Sequence, residues 1–212
     1  VDPDDAELTT AEVLGKAKAS DAIVESGWSE LIDVLPSSHR LQANEHGVPS
    51  RLRTALAEVS DQYTAVLLDC PPSLGNLTTS GLTAAQHAVI VVEPSALGLR
   101  GIAGVADVID DVWDAHNADL ELSGVIVNRV PAVSGEADRR YGELVRIVGK
   151  KAIWQPVVPQ RVIVNQAIGE RRSVHSYGSR ATDGPAAPDA LWAKPRRAIR
   201  QPDPAVDQSP TA

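Results

Sequence analysis

Residues 63–85 read YTAVLLDCPPSLGNLTTSGLTAA. An aliphatic run at 65–68 ends on Asp69, and Cys70-Pro71-Pro72 closes it. Proline has no N–H to give a ladder, so a Pro-Pro pair suits the end of a strand. In open parallel α/β sheets, ligands bind beyond the carboxyl ends of the strands, where this arrangement puts Asp69. A carboxylate so placed can organise Mg²⁺, commonly through water, because that ion keeps much of its hydration shell. The alternative role is an ordinary turn-starting Asp.

Runs of the same kind lie on either side. One ends at Leu31-Ile32-Asp33-Val34-Leu35-Pro36, and another is Ala88-Val89-Ile90-Val91-Val92, closed by Glu93-Pro94. A further run is Gly124-Val125-Ile126-Val127-Asn128, closed by Arg129-Val130-Pro131, and Val157-Val158-Pro159 forms a possible fifth. Helical spacing fills the gaps. Leu52, Leu56, Val59 and Tyr63 make one apolar face, and Leu99, Ile102, Ala106, Ile109 and Trp113 a second. Tyr141, Leu144, Val145 and Val148 make a third, opened by Ser134 as N-cap. Strands alternating with helices predict an α/β fold, a doubly wound and mostly parallel sheet. Asp69, Glu93 and Asn128 then stand at strand ends.

Composition narrows the class. Hydrophobic residues make up 43% of the 212, enough for one core, yet aromatics are 3% and Phe is absent. A core of Val, Ile, Leu and Ala suits buried parallel strands. The net charge of -8 argues against coating nucleic acid through bulk positive charge, though not against a local patch. The lone Cys70 excludes an internal disulfide framework and fits a reducing compartment; a small buried residue is the expected role, not a nucleophile. His39, His46, His87, His116 and His175 lack ligand spacing. No apolar stretch is long enough to span a bilayer. The opening Val1-Asp2-Pro3-Asp4-Asp5 is acidic and unlike a signal peptide, and the absence of Met suggests a start inside a longer protein or a non-AUG start. Six of the 15 prolines fall in the last 28 residues, so 178–212 reads as a Pro-rich flexible tail after a domain over 1–177. Within it, Lys194-Pro195-Arg196-Arg197-Ala198-Ile199-Arg200 could touch DNA or anionic lipid, but reads rather as a solvated tail, because its prolines prevent an amphipathic membrane helix.

The 63–85 stretch closely resembles the segment around the DxPP motif of the ParA/MinD partition ATPases. Leu35-Pro36-Ser37-Ser38, Val92-Glu93-Pro94 and Leu99-Arg100-Gly101 resemble further family motifs in order. So do Val158-Pro159-Gln160-Arg161-Val162, Gln166-Ala167, Ser173-Val174 and Tyr177. Asp2-Pro3-Asp4 with Leu8-Thr9-Thr10 looks like the end of the family's DxDPQ motif. The resemblance implies a P-loop NTPase fold using ATP and Mg²⁺. Asp2 matches the residue that positions the attacking water, and Asp69 matches the Walker B aspartate, which serves the metal. Asn128 looks like the residue that reads the adenine edge, or else it satisfies the backbone at a strand end. Pro159 and Gln160 fall where the backbone borders the base. Arg139, Arg140, Arg161, Arg171 and Arg172 are the candidate DNA-binding patch. The resemblance further implies an ATP-bound homodimer that binds DNA non-specifically, is released by a ParB-like activator and works in chromosome or plasmid partitioning. It implies a cytoplasmic, nucleoid-associated protein without stable membrane association.

One departure is large. Nothing in the sequence matches the family's KGGxGKT loop, whose N–H groups and lysines hold the phosphates. The expected architecture is therefore the family fold without its first strand, loop and helix. Such a chain should bind ATP weakly and have low stability, because the 65–69 strand loses a neighbour. The alternative is a non-hydrolysing remnant or interaction module, with a MinD-like membrane cycle as a third reading that the tail disfavours.

Overall fold

In this computed structural model, residues 6–177 are described, except Trp28 and Glu45. The chain opens with α1 (Thr10–Gly15) and α2 (Ala19–Ala22), then β1 (Val24–Glu25) and β2 (Asp33–Val34). Next come α3 (Ser50–Ala57), α4 (Asn76–Ala84), β3 (His87–Val92), α5 (Ala96–Ala115) and β4 (Glu121–Val127). The last are α6 (Gly135–Val148) and α7 (Val162–Gly169). β3 and β4 pair in parallel, with α5 as the crossover that parallel strands require. Parallel bridges at Val125–Ile153 and Val130–Pro159 extend the pairing beyond β4.

Side-chain caps start three of these helices, the expected Ser134 among them. Ser95 Oγ accepts from Gly98 N at 3.1 Å to open α5, and Ser134 Oγ accepts from Ala137 N at 3.1 Å to open α6. Thr9 and Glu12 form a reciprocal capping box at α1. Ile102 of α5 and Leu144 of α6 join Val92, Val125, Val127 and Ile153 in one core cluster. Both helices thus cover the same face of the β3–β4 pair. The α5 face is rotated from its expected setting: Ile102, Ile109 and Val112 are buried, whereas Ala106 and Trp113 are exposed. A second cluster holds Val13, Ala19, Ala22 and Val59, with Leu35 and Tyr63 against it.

The 65–69 segment differs most from expectation. It is not part of any ladder, and Leu67 is 75% exposed. A strand exists through its neighbours' hydrogen bonds, and here β3 gives its ladder to β4 while β2 pairs with β1. The uncovered face of β3 carries Val89 and Val91, both exposed. The run ending at Pro36 likewise yields only the short β2 and leaves Leu31 exposed. Asp2 and residues 178–212 lie outside the described residues.

Candidate functional site

The carboxyl ends of β3 and β4 are held in register one step past the strands, where Asn128 N donates to Val92 O at 2.8 Å. Arg129 then turns left-handed, with φ at 54°. Asn128 folds back over that turn, its Oδ1 accepting from Arg129 N at 2.9 Å. This is the backbone-satisfying contact weighed for Asn128, and it takes one of the two acceptor positions of the side-chain oxygen. Val130 N donates to Val158 O at 3.0 Å and Gln160 N to Val130 O at 2.8 Å, which brings Pro159 and Gln160 alongside. Arg129 Nη1 reaches across to Glu93 Oε1 at 2.9 Å. Glu93, Pro94, Ser95, Arg129, Pro131 and Gln160 line a shallow groove of about 170 Å³. The turn from β3 into α5 is tight enough that a Cβ on Gly98 would sit 2.3 Å from the Glu93 carbonyl oxygen.

Asp69 stands exposed at the end of its unladdered segment. The loop after it is pinned twice. Thr78 Oγ1 donates to Ser73 O, and Leu74 packs so closely on α5 that a Cβ on Gly104 would meet its Cδ1 at 2.6 Å. Cys70 is exposed as a residue, against the expectation of burial, because no strand flanks it. Its Sγ is nevertheless turned onto Gly81, and partial burial, then the Asp69 carboxylate, push the thiol above its ordinary value. A thiol held protonated is a poor nucleophile.

Among the described residues, no group of three or more His, Cys, Asp or Glu converges on a metal position. A single carboxylate such as Asp69 still fits Mg²⁺ carried by water and phosphate. The sequence holds no glycine-rich loop of the kind whose N–H groups cradle a triphosphate.

The five arginines of the expected basic patch are not equivalent. Arg139 and Arg140 both bond Glu136, and Arg140 also pairs with Glu143 at 2.8 Å. Those bonds, Arg139's first, hold the Glu136 carboxyl below its ordinary range. Arg172 lies over the Tyr177 ring, 5.6 Å from its centroid, and Arg171 adopts a left-handed backbone beside it. Arg161 N-caps α7 without a side-chain cap bond.

The comparisons with known proteins fit this arrangement. A family profile described as an AAA domain matches residues 1–122. The sporulation initiation inhibitor protein Soj of Bacillus subtilis is 28% identical over 165 residues, covering 75% of this chain and 65% of Soj. The chain belongs to the ParA/MinD family of partition ATPases. The uncharacterized protein Rv1708 of Mycobacterium tuberculosis is 36% identical over 127 residues, 54% of this chain and 40% of that protein. The chain thus spans less than two thirds of either relative. Among solved structures, cobyrinic acid a,c-diamide synthase of Mycobacterium smegmatis superposes with a TM-score of 0.69 at 28% identity, over 76% of this chain and 67% of that one. The same synthase has been solved with an ATP analogue and magnesium. The fold is therefore that of the P-loop ParA/MinD-type NTPases.

Within this ParA/MinD-type fold, the structure brings Pro159 and Gln160 to the strand ends that carry Glu93 and Asn128. From the sequence, Glu93 stands out as a polar strand end within the Val92-Glu93-Pro94 segment, whereas Arg129 is not singled out. The one signal available was the polar Asn128-Arg129 pair following an aliphatic run. Among the described residues, no helix is long and apolar enough to cross a membrane.

Proposed function

We propose that this chain is the nucleotide-edge and partner-binding part of a ParA-like ATPase for chromosome or plasmid partitioning. The observation that carries the reading is the groove at the β3 and β4 carboxyl ends, within a fold whose relatives include Soj. In the reading, Asn128, Pro159 and Gln160 border the adenine, Asp69 holds Mg²⁺ through water, and Asp2 positions the attacking water. When bound, ATP supplies the phosphoryl group and joins two subunits. The chain's own residues orient the base and keep a carboxylate near the metal. The homodimer binds DNA non-specifically through a basic patch that includes Arg161, Arg171 and Arg172, and a ParB-like activator ends that state in a nucleoid-associated, cytoplasmic cycle.

The test compares the 212-residue chain with the same chain preceded by a strand, a KGGxGKT loop and a helix. Calorimetry with Mg-ATP should show weak or no binding by the first. The extended form should bind and hydrolyse ATP, with hydrolysis lost in Asp69→Ala. Micromolar affinity of the chain alone would mean that another segment supplies the phosphate contacts. A second reading, a non-hydrolysing interaction module, draws on the absence of a phosphate loop from these 212 residues. An extended chain that folds, binds a partner and never turns over ATP would favour it.

A further inference from the structure

We propose that Arg129 is an anion-binding arm of the groove, and that a phosphate group of the ligand displaces Glu93 from it. A residue other than glycine seldom adopts a left-handed backbone, and it persists where its surroundings over-determine it. Arg129 is held so from both sides: its N–H is bonded by Asn128 Oδ1, and the next residue is bonded by Val158 and Gln160. These bonds fix where the side chain starts; Arg129 lines the groove, and its Nη1 lies 2.9 Å from Oε1 of Glu93, another lining residue.

The hold on that guanidinium is slight. Among the described residues, its bonded side-chain partner is Glu93, met by Nη1 alone, while an arginine offers five N–H donors. Both side chains are about half exposed, at 55% and 50%, so solvent screens the pair. A phosphate takes a guanidinium through two parallel bonds and so competes well for it. Pro131, Gln160 and the buried Pro94 also line the groove beside this charge. Ser95 Oγ is already engaged as the cap of α5. A ligand with a planar, uncharged part and a phosphate matches that lining. The proposal rests on the nucleotide reading given above.

Ligand-observed NMR on the full chain at micromolar concentration tests it, with adenosine, AMP and inorganic pyrophosphate as probes. AMP should bind roughly tenfold more tightly than adenosine, the range of a charge-assisted hydrogen bond. Glu93→Gln removes the competitor and should tighten AMP by about two- to fivefold, the scale of an exposed ion pair, with adenosine unchanged. Arg129→Gln should abolish the preference for AMP; thermal unfolding of each variant beside the parent checks that the fold is kept. AMP and adenosine binding equally, or AMP indifferent to Glu93→Gln, overturns the exchange while leaving the groove a base site. If neither nucleoside nor nucleotide binds, the nucleotide reading of the groove fails. Pyrophosphate still decides Arg129 in that case: its ³¹P line should broaden more with Glu93→Gln than with the parent, and no difference overturns the proposal.

Discussion

At Gly124 the register of β3 and β4 shifts, between Ala88 and Val89 on the facing strand, and φ is 145°. A Cβ there would meet Trp154 Nε1 at 2.3 Å and the Ala152 carbonyl oxygen at 2.7 Å. Trp154 cannot withdraw freely, because its Nε1–H donates to Ser123 O at 2.9 Å. Gly124→Ala should therefore cost about 1–3 kcal/mol, the range for overpacking a filled site, read as a lower urea midpoint. Glu12 sets an acid limit. Its Oε2 accepts from the Thr9 hydroxyl at 2.7 Å and from Thr9 N at 2.9 Å, and Arg40 lies 3.0 Å from Oε1. The Thr9 hydroxyl above all, then the Thr9 backbone, holds this carboxyl below its ordinary value. A folded-state pKa that is depressed contributes stability above the unfolded value and loses it as pH falls through the folded one. The urea midpoint should thus decline from about pH 4.5 downward, and Glu12→Gln should flatten that limb.

Among the elements, the 65–69 segment and β3 pose the main structural question. Leu67, 75% exposed in the unladdered 65–69 segment, and Val91, 60% exposed in β3, are aliphatic residues with no cover. Buried strands of parallel sheets read this way because both faces are meant to be packed. In the 212-residue chain Leu67→Ala should change stability by less than about 0.5 kcal/mol, as a surface change does. Joined to a preceding strand–loop–helix, the same substitution should cost about 2–5 kcal/mol, the range for a buried Leu. Thermal unfolding of both pairs checks this. A sharp cooperative transition in a soluble monomer of the chain alone, indifferent to the extension, would sink the idea that this edge awaits a strand. The elements with local signals are the ones the sequence placed well. β3, β4 and α6 follow from runs closed by Pro94 and Pro131 and from the Ser134 cap. α5 was found but set one step round, since Ala106 and Val105 give similar periodicity and only packing chooses between them.

Over the whole molecule, charge decides what surface is left for a polyanion. The net charge is -8, and Glu136 and Glu143 engage Arg139 and Arg140 on α6. If the DNA patch proposed above forms, these two arginines should contribute little, and Arg139→Ala should leave the slope of log affinity against log salt nearly unchanged. Arg171→Ala should reduce it by roughly one phosphate's worth, about 0.9. Glu136→Gln should steepen it, and fluorescence anisotropy with duplex DNA across a salt series reads all three. Aliphatic runs, proline stops and motif order are local in the chain, so the α/β class, the family and the polar residues that close the runs (Asp69, Glu93 and Asn128) are legible from the amino-acid sequence. Only the tertiary structure decided which runs become paired strands, that Asn128 Oδ1 bonds the Arg129 turn, and that Arg129 meets Glu93 across 36 residues. Strand pairing and ion pairing depend on what lies alongside in space, and a segment such as 65–69 can carry every local mark of a strand and still have no neighbour to bond.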